Sequence, residues 1–295
     1  MFDGFSERRI DTGEVEIACR VGGRGPPLLL LHGYPQNHVM WHRVAPRLAE
    51  RFTVVCTDLR GYGASGKPAD DPAHATYAKR MMAADQVRLM RSLGFARFHV
   101  AGHDRGGRVT HRLALDHPGA VRSAAVLDIV PTLTTFRAMG AALALDYYHW
   151  LFLAQPAPLP ERLIGADPVW YLERTLGGWG SHGLEIFAPE ALAAYAHAFA
   201  QPATIAASCA DYRAAATIDL AHDEADLERR IEAPLLVLWG TRAVMHRHFD
   251  VAATWRERAR AVTAVPVDAG HFLAEERPDE VARALLRHAL GASGT

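Results

Sequence analysis

The sequence is short of cysteine, of excess charge and of long apolar runs, and each shortage excludes a class of protein. The 295 residues contain 3 cysteines, and no two of them form a CxxC pair, so neither a disulfide framework nor a zinc ribbon is predicted. The formal net charge of -1 provides no general attraction for nucleic acid or for an anionic membrane. The chain lacks the roughly 18 consecutive apolar residues typical of a membrane span and begins without the pattern of a secretion signal. We therefore expect a cytoplasmic protein with no nucleic-acid or membrane partner.

Short apolar runs alternate with helical patterns along most of the chain. The strand-like runs are Val15 to Val21, Pro27 to Leu31, Phe52 to Thr57, Phe98 to Ala101, Val121 to Val130, Pro234 to Trp239 and Ala261 to Val267. Helical patterns cover Tyr77 to Ser92, Gly106 to Asp116, Phe249 to Arg260 and Glu280 to Leu290. Such alternation predicts an α/β fold in which helices flank a mostly parallel sheet.

The alternation stops between Pro131 and about Glu228. This stretch is rich in alanine and aromatic residues, and it has a helical pattern without a buried strand. We expect it to be a helical cap inserted into the α/β core. The predicted division is a core of residues 1-132 and 229-295 and a cap of residues 133-228.

The most specific local motif is Gly102-His-Asp-Arg-Gly-Gly-Arg108, between a predicted strand and a predicted helix. It has the form Gly-x-nucleophile-x-Gly, with Asp104 where many hydrolases have serine. A carboxylate that attacks a saturated carbon forms an ester, which an activated water can hydrolyse, whereas serine would form a stable ether. The motif therefore indicates displacement at a saturated carbon. The alternative interpretation is a glycine-rich turn in which Asp104 caps the following helix.

Two further residues complete a catalytic triad by chain order. His271 follows the last strand-like run, which is the expected position of the base. Asp128 lies at the end of the preceding strand, in the motif Leu127-Asp-Ile-Val-Pro131. We expect Asp128 to orient His271, and the backbone amides of Tyr34 and Arg105 to form the oxyanion hole. The alternatives are a surface histidine and an aspartate that caps a helix.

Arg105 and Arg108 follow Asp104 by one and four residues, so both can lie on one side of the helix start. Two guanidinium groups beside an anionic nucleophile suit a substrate that carries a carboxylate. The alternative is that one arginine only neutralises Asp104 or lies on the helix surface.

Several motifs together resemble the α/β-hydrolase family, and within it the fluoroacetate (haloacetate) dehalogenases. They are His32-Gly-Tyr-Pro-Gln-Asn37, Asp58-Leu-Arg-Gly-Tyr-Gly63, Gly102 to Arg108, Leu127 to Thr132, Tyr148-His-Trp150, Gln155-Pro-Ala-Pro158, Cys209-Ala-Asp-Tyr-Arg213 and Gly270-His-Phe272. The most specific feature is the arginine directly after the nucleophile, where haloalkane dehalogenases and epoxide hydrolases usually have tryptophan.

The resemblance implies a role for each matching residue and a small haloacid as substrate. Asp104 would be the nucleophile, His271 the base and Asp128 its partner, while Arg105 and Arg108 would bind the substrate carboxylate. The leaving halide would be bound by His149, Trp150 and Tyr212. The resemblance also implies a homodimer that uses no cofactor and no metal. Judged by its residues alone, Tyr147-Tyr-His-Trp150 would be an aromatic helix face buried under the cap.

The resulting hypothesis is hydrolysis of fluoroacetate to glycolate and fluoride through an ester on Asp104. An epoxide hydrolase with the same triad is the alternative, with protonating tyrosines among Tyr147, Tyr148, Tyr171, Tyr195 and Tyr212. A relative that has lost catalysis is a third hypothesis. The sequence leaves Trp179 open between a pocket wall and the cap core, and we interpret Val244-Met-His-Arg-His248 as solvated surface.

Overall fold

A computed structural model describes residues 1-292 of the chain, which form one eight-stranded sheet surrounded by helices. The strands are β1 (Ser6–Asp11), β2 (Glu16–Gly23), β3 (Pro27–Leu31), β4 (Thr53–Thr57), β5 (Phe98–His103), β6 (Val121–Leu127), β7 (Leu235–Gly240) and β8 (Val262–Val267). Their spatial order is β1-β2-β4-β3-β5-β6-β7-β8. Only the β1–β2 and β2–β4 pairs in this described sheet are antiparallel. The predicted mostly parallel sheet is confirmed.

Burial explains why the three central strands β3, β5 and β7 have continuous apolar runs in the sequence. All residues of β3, β5 and β7 are buried, and a strand covered on both faces appears in the sequence as a continuous apolar run. The edge strand β1 has the sequence SERRID and is mostly exposed. It has no apolar run, and the sequence pattern therefore does not predict it.

The helices of the core follow the predicted alternation. They are α1 (Ala45–Leu48), α2 (Lys79–Ser92) and α3 (Arg105–Asp116) before the chain passes through residues 132-225, and α12 (Val244–His248), α13 (Val251–Arg256), α14 (Leu273–Glu276) and α15 (Pro278–Gly291) after β7. Short 3-10 helices cover His38–Trp41, Ala75–Tyr77 and Pro118–Ala120. The helix predicted over Phe249 to Arg260 is shorter at both ends.

Between β6 and β7, a region that the structure describes throughout, the chain is helical and contains no strand. Its helices are α4 (Thr132–Arg137), α5 (Ala141–Asp146), α6 (Tyr148–Leu153), α7 (Leu159–Ala166), α8 (Pro168–Trp179), α9 (Pro189–Phe199), α10 (Pro202–Ala216) and α11 (Ile218–Ala225), with a 3-10 helix at Gly183–Ile186. Among the described residues, no helix is long and apolar enough to cross a membrane.

The sheet brings the ends of several strands together. β5, β6, β7 and β8 are consecutive neighbours and run parallel, so their carboxyl ends meet at one edge of the sheet, where α/β proteins bind ligands. Asp104 directly follows β5, Asp128 directly follows β6, and His271 lies in the loop after β8. The three residues of the predicted triad therefore lie at the same edge.

Candidate active site

Asp104 occupies a sharp turn between β5 and α3. Its φ of 47° is a strained conformation for a residue with a side chain, and such conformations concentrate at functional sites. The turn also needs glycine nearby, because a Cβ on Gly102 would lie 2.2 Å from the carbonyl oxygen of Gly106. The Asp104 carboxylate does not cap α3, and its Oδ1 accepts a hydrogen bond of 2.9 Å from the backbone amide of Tyr34. The alternative interpretation of Asp104 as a helix cap is wrong.

His271 and Asp128 form a buried pair at the same edge of the sheet. His271 Nδ1 lies 2.6 Å from Asp128 Oδ2, and Asp128 Oδ1 accepts a hydrogen bond of 3.0 Å from the backbone amide of Gly240. Both carboxylate oxygens of Asp128 therefore have hydrogen-bond partners. The next helix, α4, begins without a side-chain cap, so Asp128 does not cap it. His271 Nε2 is buried and has no hydrogen-bond partner among residues 1-292. The interpretations of His271 as a surface residue and of Asp128 as a helix cap are both wrong.

The surroundings of His271 and of Asp104 shift the pKa values of these two residues in opposite directions. Burial lowers the pKa of His271, but the hydrogen bond and the charge of Asp128 outweigh it, so the pKa lies above its ordinary value. For Asp104 the balance is reversed: burial raises its pKa, while the neighbouring charges, led by His271, bring the pKa below its ordinary value. A carboxylate anion and a base of raised pKa thus face the same space.

That space is a small cavity of about 20 Å³. It lies under the helices between β6 and β7, which we call the helical segment. It is lined by Asp104, Asp128, Tyr147, His149, Trp179, Val244 and His271. A cavity of this size holds about one water molecule. The arrangement can position a nucleophilic carboxylate, a water and an imidazole base together, and it favours a small substrate.

Arg105 and Arg108 are both buried, which contradicts a position on the helix surface. Arg105 donates from Nε and Nη2 to Asp211, over 2.9 Å and 2.6 Å, and its Nη1 has no partner within the described chain. Arg108 donates from Nη1 to the carbonyl oxygen of Val130 over 2.9 Å. Its Nε and Nη2 have no partner in the part of the chain that the structure describes. Within residues 1-292, each guanidinium is thus hydrogen-bonded on one side and has N–H groups without a partner on the other.

His149, Trp150 and Tyr212 lie together against these cations. The ring centroids of His149 and Tyr212 are 5.7 Å apart, and those of Trp150 and Tyr212 are 6.0 Å apart. Arg105 Cζ lies 4.2 Å from the Tyr212 ring, and Arg108 Cζ lies 4.4 Å from the Trp150 ring. The three residues thus form one aromatic wall beside both guanidinium groups.

Each member of that wall has a buried polar atom without a partner among the described residues: His149 Nδ1, Trp150 Nε1 and Tyr212 Oη. Burial lowers the pKa of His149 to about 3, so at neutral pH its ring is uncharged and has one N–H to donate. The indole and the phenol each add one donor. The three side chains thus each have one N–H or O–H group to donate, and His149 also lines the cavity at Asp104.

Trp179 is both a wall of the cavity and part of the aromatic packing of the helical segment. Its ring centroid lies 4.2 Å from that of His149 and 5.7 Å from that of His271. It also stacks on Phe272 at 6.4 Å. The two possibilities left open by the sequence are therefore not exclusive.

The segment Val244 to His248 is only partly surface. It forms α12, in which Met245 is buried and Val244 lines the cavity. His248 Nε2 lies 2.7 Å from Asp146 Oδ2, which belongs to α5 of the helical segment. The prediction of a solvated surface holds for the exposed His246 and Arg247 but is wrong for the rest of α12.

The sequence did not predict Asp211, which holds Arg105, or Lys79, which bonds to Asp211. Asp211 directly precedes Tyr212 in a motif that the resemblance had already marked, and a fully buried acid next to a pocket residue needs a cation. Its partner Arg105 lies 106 residues away.

Among residues 1-292, no group of three or more His, Cys, Asp and Glu side chains is arranged to hold a metal ion.

The chain belongs to the α/β-hydrolase family. Residues 26-278 match the family model described as the alpha/beta hydrolase fold, which confirms the predicted fold class. A solved structure of a protein from Nostoc sp PCC 7120, assigned to the alpha/beta hydrolases, superposes with a TM-score of 0.96 and 54% identity, covering 98% of this chain and 99% of that one.

Two curated relatives show which enzymes within the family this chain is similar to. A fluoroacetate dehalogenase from Burkholderia sp is 52% identical over 97% of this chain and 94% of its own length. A soluble epoxide hydrolase from Corynebacterium sp is 33% identical over 88% of each chain. The resemblance to haloacetate dehalogenases is therefore confirmed over nearly the whole chain.

Proposed function

We propose that the protein is a haloacetate dehalogenase, which hydrolyses fluoroacetate to glycolate and fluoride. One observation carries the proposal beyond the family: Asp104 stands at the nucleophile turn, and beside it are two buried arginines with N–H groups that have no partner among residues 1-292. A carboxylate nucleophile suits attack at a saturated carbon, and the arginines suit a substrate anion. The 52% identity to a fluoroacetate dehalogenase supports the same substrate class.

In the first step, Asp104 attacks the carbon that carries the halogen. Oδ1 is held by the amide of Tyr34, so Oδ2 forms the new C–O bond while the halide leaves with the electrons of the C–halogen bond. Arg105 and Arg108 hold the substrate carboxylate and align the carbon with the nucleophile.

Departure of the halide is the demanding part of this step, since fluoride is a poor leaving group. His149, Trp150 and Tyr212 donate hydrogen bonds to it as negative charge develops. Charge-assisted hydrogen bonds contribute about 1.5 to 3 kcal/mol each, so three donors lower the barrier by roughly 4 to 9 kcal/mol.

In the second step, His271 Nε2 removes a proton from water, and the resulting hydroxide attacks the carbonyl carbon of the Asp104 ester. The backbone amides of Tyr34 and Arg105 stabilise the oxyanion. Collapse breaks the ester bond, the leaving alkoxide takes the proton of the newly formed Asp104 carboxyl group and departs as glycolate, and His271 gives up its proton to solvent, which restores the Asp104 carboxylate and the neutral base. Asp128 stabilises the protonated His271 while this happens.

Fluoride release from fluoroacetate, followed with a fluoride electrode, tests the proposal. The wild-type protein should release fluoride, and Asp104→Asn should release none above the background without enzyme. A single turnover in water enriched in oxygen-18 should place the label in Asp104, which would also exclude a relative without catalysis. Absence of fluoride release by the wild type would contradict the proposed activity.

The epoxide hydrolase remains the second candidate, because Tyr147 lines the cavity and the Oη of Tyr212 has no partner in the described chain. Hydrolysis of styrene oxide without turnover of haloacetates would favour it. Two buried arginines argue against it, since a neutral epoxide gains nothing from them.

We also propose that residues 133-228 act as the cap and that the protein is a homodimer. Of the 10 exposed large hydrophobic side chains described, 7 lie between Leu145 and Trp170 in the cap segment. Exposed apolar surface of this kind is typical of protein interfaces. Light scattering on the purified protein should give a dimer mass, and a monomer mass at micromolar concentration would contradict it.

The cytoplasmic location stays a prediction, consistent with three free, buried cysteines.

A further inference from the structure

A buried set of four charged side chains lies behind the proposed carboxylate site. We call it the charge quartet: Arg105, Lys79, Asp211 and Asp219, each less than a tenth exposed. Arg105 belongs to α3 and Lys79 to the first turn of α2 in the core, whereas Asp211 and Asp219 belong to α10 and α11 of the helical segment. The quartet thus crosses the boundary between the core and the helical segment.

Asp211 fixes the orientation of Arg105. Its carboxylate accepts from Arg105 Nε over 2.9 Å and from Nη2 over 2.6 Å, and its carbonyl oxygen accepts from Nη2 over 3.0 Å. Tyr62 Oη donates to the same carboxylate over 2.7 Å. Nε and Nη2 of Arg105 therefore have hydrogen-bond partners, whereas Nη1 has none among residues 1-292.

This contact has an electrostatic consequence for anion binding. A carboxylate that pairs with Arg105 in a dry site cancels much of the positive charge that a substrate carboxylate would meet. Lys79 opposes this effect, because its Nζ also bonds to Asp211 Oδ1. Lys79 Nζ is then shared with Asp219 Oδ2, 3.3 Å away. The quartet holds two cations and two anions and is neutral, so Arg105 keeps its capacity to bind an anion at Nη1.

We propose that Lys79 and Asp211 are positioning residues that set the selectivity of this site for anionic over neutral substrates, with Asp219 balancing their charge. The inference rests on the proposed function for the identity of the anion, a haloacetate. Loss of Lys79 gives the quartet a net negative charge behind the substrate carboxylate. Loss of Asp219 gives it a net positive charge.

The test compares acetate with acetamide, two probes that differ in charge and hardly in size. Their affinities are measured by isothermal titration calorimetry, and KM and kcat are measured for fluoroacetate. Lys79→Met should weaken acetate binding and raise KM for fluoroacetate roughly tenfold or more, with a smaller change in kcat and little change for acetamide. Asp219 Oδ1 accepts a hydrogen bond of 2.9 Å from the backbone amide of Lys79. Asp219→Asn keeps this acceptor oxygen and should tighten acetate binding.

The double variant Lys79→Met/Asp219→Asn separates charge from structure. It removes one cation and one anion, so the remaining pair is neutral again, and acetate binding should recover towards the wild-type value. If Lys79 were only a structural residue, the double variant would bind acetate no better than Lys79→Met. That result, or an unchanged ratio of acetate to acetamide affinity in folded Lys79→Met, would overturn the inference.

Arg112 provides a matched control. Like Lys79 it is a buried cation between two carboxylates, with 2.6 Å contacts to Asp116 and Asp226. Arg112→Met should reduce stability and leave the acetate to acetamide ratio unchanged. Because binding is measured without turnover, failure of fluoride release alone would count against the proposed function and not against the quartet.

Discussion

His271 Nδ1 lies 2.6 Å from Asp128 Oδ2, although 143 residues separate them in the chain. Asp128 follows β6 and is held by the amide of Gly240 at the end of β7. The carboxylate accepts a hydrogen bond from Nδ1–H of neutral His271, so the lone pair is on Nε2, and His271 lines the same cavity as Asp104. The sheet edge thus supplies both the orientation and the tautomer that a general base requires.

Replacement of Asp128 should change both the rate and its pH dependence. We expect Asp128→Asn to lower kcat for fluoroacetate on the order of 10³-fold, because the asparagine no longer stabilises protonated His271. The base acts when deprotonated, and Asp128 raises the pKa of His271. In the variant the acidic limb of the kcat profile should therefore move to lower pH. A limb at the wild-type position would contradict this role for Asp128.

The proposed halide donors should matter most for fluoride. Trp150 Nε1 is buried without a partner in the described part of the chain. We expect Trp150→Phe to lower kcat for fluoroacetate roughly 10- to 100-fold and to affect bromoacetate less, since bromide leaves more readily. Tyr148→Phe, at an exposed neighbouring position, is the control and should leave both rates unchanged. Equal losses on the two substrates would count against halide binding.

Arg108 should act on substrate affinity. Its Nε and Nη2 have no partner in the described chain, and they form a fork suited to a carboxylate. We expect Arg108→Gln to raise KM for fluoroacetate at least tenfold, and Arg108→Lys to rescue this only in part because lysine lacks the fork. The exposed Arg122 offers a control, since Arg122→Gln should leave KM unchanged. An unchanged KM in Arg108→Gln would contradict the assignment of Arg108 to binding of the substrate carboxylate.

The sequence predicted the parts of the site that follow strands, because their signals are local. β3 spans the predicted residues Pro27 to Leu31, and the aspartates and the histidine of the triad could be placed by their order after successive strands. The geometry of parallel strands then brings these positions together without further information.

The charge quartet could not be predicted in this way. Asp211 lies in an alanine-rich helix, where an acid is usually exposed to solvent. Its burial results from the packing of α10 against the core, and its partners Arg105 and Lys79 are 106 and 132 residues away. The edge strand β1 was missed for a related reason, since a mostly exposed strand carries no apolar pattern.

Glu275 should make the stability of the fold depend on pH. It is buried in α14, and its Oε1 lies 2.5 Å from Tyr195 Oη of α9. Burial raises its pKa from 4.5 to about 7, so between these values the folded state binds more protons than the unfolded state. The free energy of unfolding should therefore fall as pH rises through this window.

Glu275→Gln removes this titration and keeps a side chain of similar size. The variant should lose that part of the pH dependence and should be more stable than the wild type above neutral pH, by on the order of 3 kcal/mol. Urea denaturation of both proteins at about pH 5 and about pH 8 measures the difference. If the wild type and the variant lost stability in parallel between these pH values, another group would be responsible. Tyr195→Phe should retain the titration, because burial, and not the tyrosine, is the main cause of the raised pKa.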